Sequence, residues 1–179
     1  MRRGCDPVAL HVCPLLTDVQ RIGFGGGCHW CTEAVFSALR GVDRVSQGFI
    51  VSDPPNDSYS EAVEIAFDPV QVPMQVLVDI HLRTHASTSN HKMRGKYRSA
   101  VYVFSRAQSE EVTDVLRHLA HDFPAPLVTQ VLPHLGFKHS DPRFQDYQAR
   151  NPEAPFCTRY IDPKLDLLRQ QYSDWLKKP

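Results

Sequence analysis

The sequence predicts an α+β fold: one domain in which helices cover a mixed β-sheet as a two-layer sandwich. Three observations carry this. Apolar runs that alternate with a two-residue period are interleaved with stretches of helical period. Turn signals built from Pro, Gly, Asn and Asp separate many of them. A chain of 179 residues, 42% of them apolar, is long enough for a single domain with its own core.

Residues 20–26 read as a short strand that runs into glycines, and residues 28–40 as a helix. Gly41 follows where a glycine commonly closes a helix. "VDRVSQGFIV" (Val42 to Val51) is a strand and "SDPPNDS" (Ser52 to Ser58) a turn. "EAVEIAF" (Glu61 to Phe67) alternates, which predicts a strand with one buried face. Pro73 opens a helix that reaches about His85, at a position where its missing N–H costs nothing. Arg98 to Phe104 form a strand, 107–121 a helix, 127–132 a last strand and 163–177 a terminal helix. Pro152, Pro155 and Pro163 argue against regular structure between them. The order β-α-β-β-α-β, followed by a helix, is that of a ferredoxin-like core. Residues 1–19 are expected to be a poorly ordered extension and 20–179 the domain itself.

Composition narrows the function. The net charge is zero and there is no block of like charges, so no electrostatic footprint for nucleic acid exists. The local cluster "HKMRGKYR" (His91 to Arg98) reads equally well as a solvated loop. No apolar run approaches the ~20 residues of a membrane span. The N-terminal "PVALHVCPLL" is interrupted by Pro7, His11 and Pro14 and lacks a cleavage signal. A cytoplasmic protein is expected. Five cysteines (Cys5, Cys13, Cys28, Cys31, Cys157) are odd in number and irregular in spacing, unlike a secreted disulfide framework. In a reducing compartment paired thiols are more often catalytic or metal-binding.

The stretch "IGFGGGCHWCTEAVF" (Ile22 to Phe36) concentrates the chemistry. Its glycines lack both the dinucleotide-binding register and the Lys-Ser/Thr of a phosphate loop. Cys28 instead stands where a glycine turn delivers the chain into a helix, and the free N–H groups there favour a thiolate. Gly25, Gly26 and Gly27 would let a substrate approach the backbone. Cys31 shares a helix face with Ala34, Val35 and Ala38, so it is either a redox partner or a small core residue. One Cys-x-x-Cys is half a zinc site, and no second half is present. Glu33 lies about 140° round the helix from Cys28 and reads as a solvated residue. Glu61 is the better acid, since it shares the face of Val63, Ile65 and Phe67 while Glu64 points away with Ala62 and Ala66. A carboxyl closing an apolar face can hold a proton for delivery, unless the strand frays there.

"GGCHWCTEAVF", "YSEAVEIAFDP" and "KYRSAVY", in this order, resemble the peptide methionine sulfoxide reductase A family. The resemblance continues through "NPEAPFC" (Asn151 to Cys157) to "DPKLDLL" (Asp162 to Leu168). It implies reduction of the S epimer of methionine sulfoxide, free or in proteins. By this resemblance Cys28 is the nucleophile, Glu61 the acid, and Tyr97 a donor to the sulfoxide oxygen. Trp30 would receive the substrate methyl group. A second thiol would resolve the Cys28 sulfenic acid, Cys157 by preference and Cys31 as the alternative, and thioredoxin would reduce the disulfide. No metal or other cofactor is implied, and the family suggests a monomer.

Three departures stand out. His29 occupies the place of a usual Phe, as a pocket wall or as a cation tuning Cys28 at lower pH. The segment before Glu61 is short and drops a second active-site tyrosine, Tyr59 being the nearest substitute. The family's Asp before the "YRSA" tyrosine is missing, with Asn90 or His91 as substrate-binding replacements.

Overall fold

A computed structural model describes residues 18–178. The expectation for the extension over residues 1–19 lies outside them, apart from Asp18 and Val19. The chain is one α+β domain with a mixed six-stranded sheet in the order β5-β4-β1-β3-β2-β6. The elements in chain order are β1 (Gln20–Gly25), α1 (His29–Ser37), β2 (Val42–Val51), β3 (Ser60–Phe67) and α2 (Met74–Thr84). They continue with β4 (Ala100–Val103), α3 (Arg106–Leu119), β5 (Gln130–Pro133), β6 (Gly136–His139), α4 (Tyr147–Arg150) and α5 (Asp162–Gln171). β1 lies between β3 and β4 and is antiparallel to both, whereas β5 runs parallel to β4.

The alternation of β1 and β3 explains which face is covered. Ile22 and Phe24 of β1 pair in register with Ile65 and Val63 of β3. With Phe67 they form the main core together with Val35 and Phe36 of α1, Leu77, Val78 and Ile80 of α2, and Val112 of α3. Three helices thus share one face of the sheet. The intervening residues face the other way, where a smaller cluster gathers Ala62, Ile50, Ala100, Tyr102 and Leu132. Glu64, on that second face, pairs with Arg21 at 2.6 Å.

Two departures from the sequence expectation have local causes. β6 has no counterpart in it, because four residues including Lys138 are too few to show a period. It pairs with Gly48–Val51 of β2, and a Cβ on Gly48 would lie 2.2 Å from the Lys138 carbonyl. The proline-rich segment is also regular near its end: a wide π-type turn over Cys157–Ile161 leads directly into α5. Pro163 stands in the first turn of α5, where no N–H is needed, so it does not stop the helix. That helix ends at Gln171 rather than 177, and a short 3-10 turn over Ser173–Trp175 follows.

Candidate active site

Cys28 occupies the N-cap position of α1, half-buried, directly after the glycine turn that leaves β1. The neighbouring Cys31 thiol and then the first-turn N–H groups of Trp30 and Cys31 favour the thiolate. They hold Cys28 below the ordinary thiol range, against burial and the nearby Glu61 carboxyl. The same contact pushes Cys31 far upward, with burial adding to it. Of the two thiols Cys28 is thus the one that ionises more readily, while the Cys31 thiol faces the Tyr160 carbonyl at 3.9 Å.

The glycines divide the labour differently from the expectation. A Cβ on Gly25 would meet the Arg98 carbonyl at 2.9 Å, and one on Gly26 would meet the His85 ring at 2.6 Å. These two glycines are required by packing within the chain. Only Gly27, with nothing within 4 Å of such a Cβ, faces open space beside Cys28.

Glu61, the second residue of β3, is buried behind this turn. Its Oε2 accepts from the backbone N–H of His29 at 3.2 Å, and Lys96 Nζ lies 3.4 Å from Oε1. Lys96 also lies 4.9 Å from the centre of the Tyr97 ring. Cys28 and Tyr97 line a cleft of about 710 Å³ together with Cys31 and His91. Its far wall is formed by the segment that follows Phe156, with Tyr160 and Lys164.

The loop carrying Tyr97 is held by a residue that sequence reasoning placed in a solvated cluster. The Arg94 guanidinium donates to the carbonyls of Ser89 (Nε, 2.9 Å), Tyr97 (3.1 Å) and Gly26 (3.4 Å), and also to that of Ala86. It ties the loop to the glycine turn. Beneath the turn, His85 Nδ1 donates to the His81 carbonyl at 2.6 Å, so its Nε2 accepts from Ser99 at 2.7 Å. Burial lowers His85 to about 4, which keeps this ring neutral.

A thiol of lowered pKa at a helix N-terminus, a buried carboxyl near it and a tyrosine in the same cleft as the thiol match the pattern of the sequence resemblance. The family profile described as "Peptide methionine sulfoxide reductase" matches residues 20–176. The chain belongs to the peptide methionine sulfoxide reductase family. It is similar to "Peptide methionine sulfoxide reductase MsrA" of Deinococcus radiodurans, with 34% identity over 86% of this chain and 82% of the relative. The protein of that name from Thermus thermophilus is 34% identical over 85% of this chain and 94% of the relative. Among solved structures, "Methionine sulfoxide reductase A of Corynebacterium diphtheriae" superposes with a TM-score of 0.67 at 24% identity, over 76% of each chain. That likeness speaks to the fold.

Within this family member the remaining expected residues are dispersed. Trp30 is half-buried and stacked on Tyr147 at 4.0 Å and 9°, with Phe156 edge-on at 5.2 Å. His29 is buried, and Phe49 meets its ring edge-on at 5.4 Å. Burial holds the His29 imidazole below its ordinary range, which works against the cationic role that the sequence suggests for it. His91 lines the cleft, whereas exposed Asn90 lines a separate depression with Arg98 and Asn56. Tyr59 is 52% exposed.

Cys157 is 0% exposed, and it packs with Cys31, Ala34 and Ile161. Burial raises its thiol. Glu33 also differs from its expected solvated state, being 3% exposed. Its carboxyl accepts from Gln47 Nε2 at 2.8 Å, from the Asp146 N–H at 2.9 Å and from the Tyr147 N–H at 3.4 Å. It thereby fixes the residue that stacks on Trp30. Neither Tyr147 nor Phe49 carried a sequence signal, since both reach the site from distant elements.

Among the described residues no three His, Cys, Asp or Glu side chains are grouped to hold a metal ion. Among the same residues no helix is long and apolar enough to cross a membrane.

Proposed function

We propose that this protein reduces methionine S-sulfoxide, in proteins or free, through Cys28, and so repairs oxidised proteins in the cytoplasm as a monomer. The observation that carries the reading is the placement of Cys28 at the N-cap of α1 next to the buried Glu61 carboxyl, which accepts from the N–H of the following residue. A simple thiol–disulfide oxidoreductase needs Cys28 and Cys31 but has no use for Glu61 behind them.

In the proposed reaction the Cys28 thiolate attacks the sulfoxide sulfur while Glu61 protonates the oxygen and Tyr97 donates to it. The oxygen passes to Cys28, the substrate sulfur leaves as methionine, and Cys28 becomes a sulfenic acid. Cys31 then attacks the Cys28 sulfur, with loss of water, to form the disulfide. Cys31 is three residues from Cys28 on the same helix start and influences its thiol, whereas Cys157 is 0% exposed, which favours Cys31 over Cys157 for this step. A dithiol such as thioredoxin restores the enzyme by exchange; a related yeast fold solved "in complex with Trx2" is consistent with such a partner. The reading of the β-α-β-β-α-β portion as a ferredoxin-like core is supported by the inner strand order β4-β1-β3-β2 and its antiparallel pairs.

The test is to incubate the reduced protein with each epimer of a methionine sulfoxide peptide and dithiothreitol. Conversion of the S epimer alone is expected, with a Cys28–Cys31 disulfide found by mass spectrometry when the reductant is withheld. No conversion of the S epimer overturns the reading.

A further inference from the structure

We propose that His29 and Glu61 act as one acid: a carboxyl–imidazole pair that holds a single transferable proton and supplies it through Glu61. The proposal rests on the reductase reading above and gives His29 the role of a positioning residue and proton store, acting through Glu61 rather than on the substrate.

The pair is built by two separate elements. His29 is the first residue of α1 and Glu61 the second of β3, and each is less than a tenth exposed. Nδ1 of His29 lies 3.2 Å from Glu61 Oε2, the oxygen that also accepts from the His29 backbone N–H. Nδ1 is sealed from water and has no well-aligned hydrogen bond to any group. A buried ring nitrogen without a partner is costly, and the nearby carboxylate oxygen is the natural one. Phe49, which pairs with Glu61 across β2 and β3, holds the imidazole edge-on and keeps Nδ1 within reach.

The chemistry explains the use of such a pair. A general acid must carry a proton when substrate arrives, and a neighbouring cation works against that. The ionisable groups around the pair are Lys96 at 3.4 Å from Oε1, Tyr97 under the Lys96 ammonium, and Cys28 at the start of α1. With His29 present, the proton can rest on the carboxyl, with Nδ1 accepting, or on Nδ1, facing the carboxylate. Both arrangements carry the same one proton and the same net charge, so the two groups titrate as a pair. Burial disfavours the imidazolium, and in this proposal the carboxyl is the group that delivers the proton. The step balances: the Cys28 thiolate, the sulfoxide and the pair's proton give the Cys28 sulfenic acid and the thioether. The Cys28 sulfur loses two electrons and the substrate sulfur gains them. One proton from water then recharges the pair.

The experiment measures single-turnover reduction of the S-sulfoxide against pH in the wild type and in His29→Phe, which preserves an aromatic ring against Phe49. The expected result is a loss of rate with rising pH that begins at least about one unit lower in the variant. The variant is then about tenfold slower near pH 8 and equal to the wild type near pH 5.5. The alkylation profile of Cys28 should stay unchanged, and adding His29→Phe to Glu61→Gln should change nothing further. A uniform drop at every pH, or an unchanged profile, overturns the proposal. If the variant does not fold, NMR titration of the wild type replaces it. The His29 ring and Glu61 carboxyl signals must move together with one apparent pKa, and separate midpoints overturn the pair. Failure of the reductase reading looks different, because neither protein would then convert the S epimer at any pH.

Discussion

Replacing Glu33 tests whether a buried carboxyl on the far side of α1 holds the wall of the site together. In Glu33→Ala the Asp146 N–H, bonded at 2.9 Å, and the Tyr147 N–H, at 3.4 Å, lose their acceptor. Gln47 Nε2 keeps a second partner, the Phe144 carbonyl at 3.0 Å, and so loses less. Asp146 is exposed, so its N–H turns to water, and the half-buried Tyr147 donor carries the loss of about 1–3 kcal/mol. The space left by the side chain adds about 1–2 kcal/mol. The expected loss is therefore about 2–5 kcal/mol, read as a lower urea midpoint at constant slope. Glu33→Gln retains one oxygen and the shape, and should lose about half as much. Release of Tyr147 from its 4.0 Å stack on Trp30 should also change the tryptophan emission of the folded protein. A Glu33→Ala protein within about 0.5 kcal/mol of wild type, the range of ordinary surface changes, would refute the reasoning.

Three further perturbations follow from the turn and its support. Gly26→Ala places a Cβ 2.6 Å from the His85 ring and should destabilise by about 1–3 kcal/mol in urea unfolding. Gly27→Ala meets nothing within 4 Å and should leave stability unchanged while raising KM, since the added methyl faces the cleft side of Cys28. His85 falls to about 4 in the fold from the ordinary 6.5, so the unfolded chain binds the proton first as pH drops. Stability should then be full above pH 6.5 and decline toward pH 4, by on the order of 3 kcal/mol. His85→Gln should flatten that decline in a series of urea midpoints against pH.

The extent to which the sequence is legible depends on distance along the chain. Alternation in "EAVEIAF" places Val63, Ile65 and Phe67 on one face and Glu64 on the other, because strand geometry alone decides it. The structure agrees, with the first three in the main core and Glu64 paired to Arg21 on the opposite face. Cys28 likewise announces itself through a glycine turn and a helix start within a few residues. Glu33 reads as solvated because helix angle says where a side chain points, not what later covers it. Here the segment carrying Asp146 and Tyr147 returns over it from more than 100 positions away. Arg94 is hidden in a basic cluster, since nothing local reveals that its partners are backbone carbonyls.

The sequence by itself determined the periodic elements and placed a cysteine at a helix N-terminus and Glu61 on an apolar strand face, since each depends on spacing within one element. Only the tertiary structure decided which groups meet across elements. It buried Cys157 beside Cys31, and it brought the His29 imidazole to the Glu61 carboxyl. The Cys28–Cys31 approach is local to the start of α1. The His29–Glu61 contact arises when α1 docks on β3, and the burial of Cys157 when the turn before α5 closes on α1, and no local propensity encodes those two.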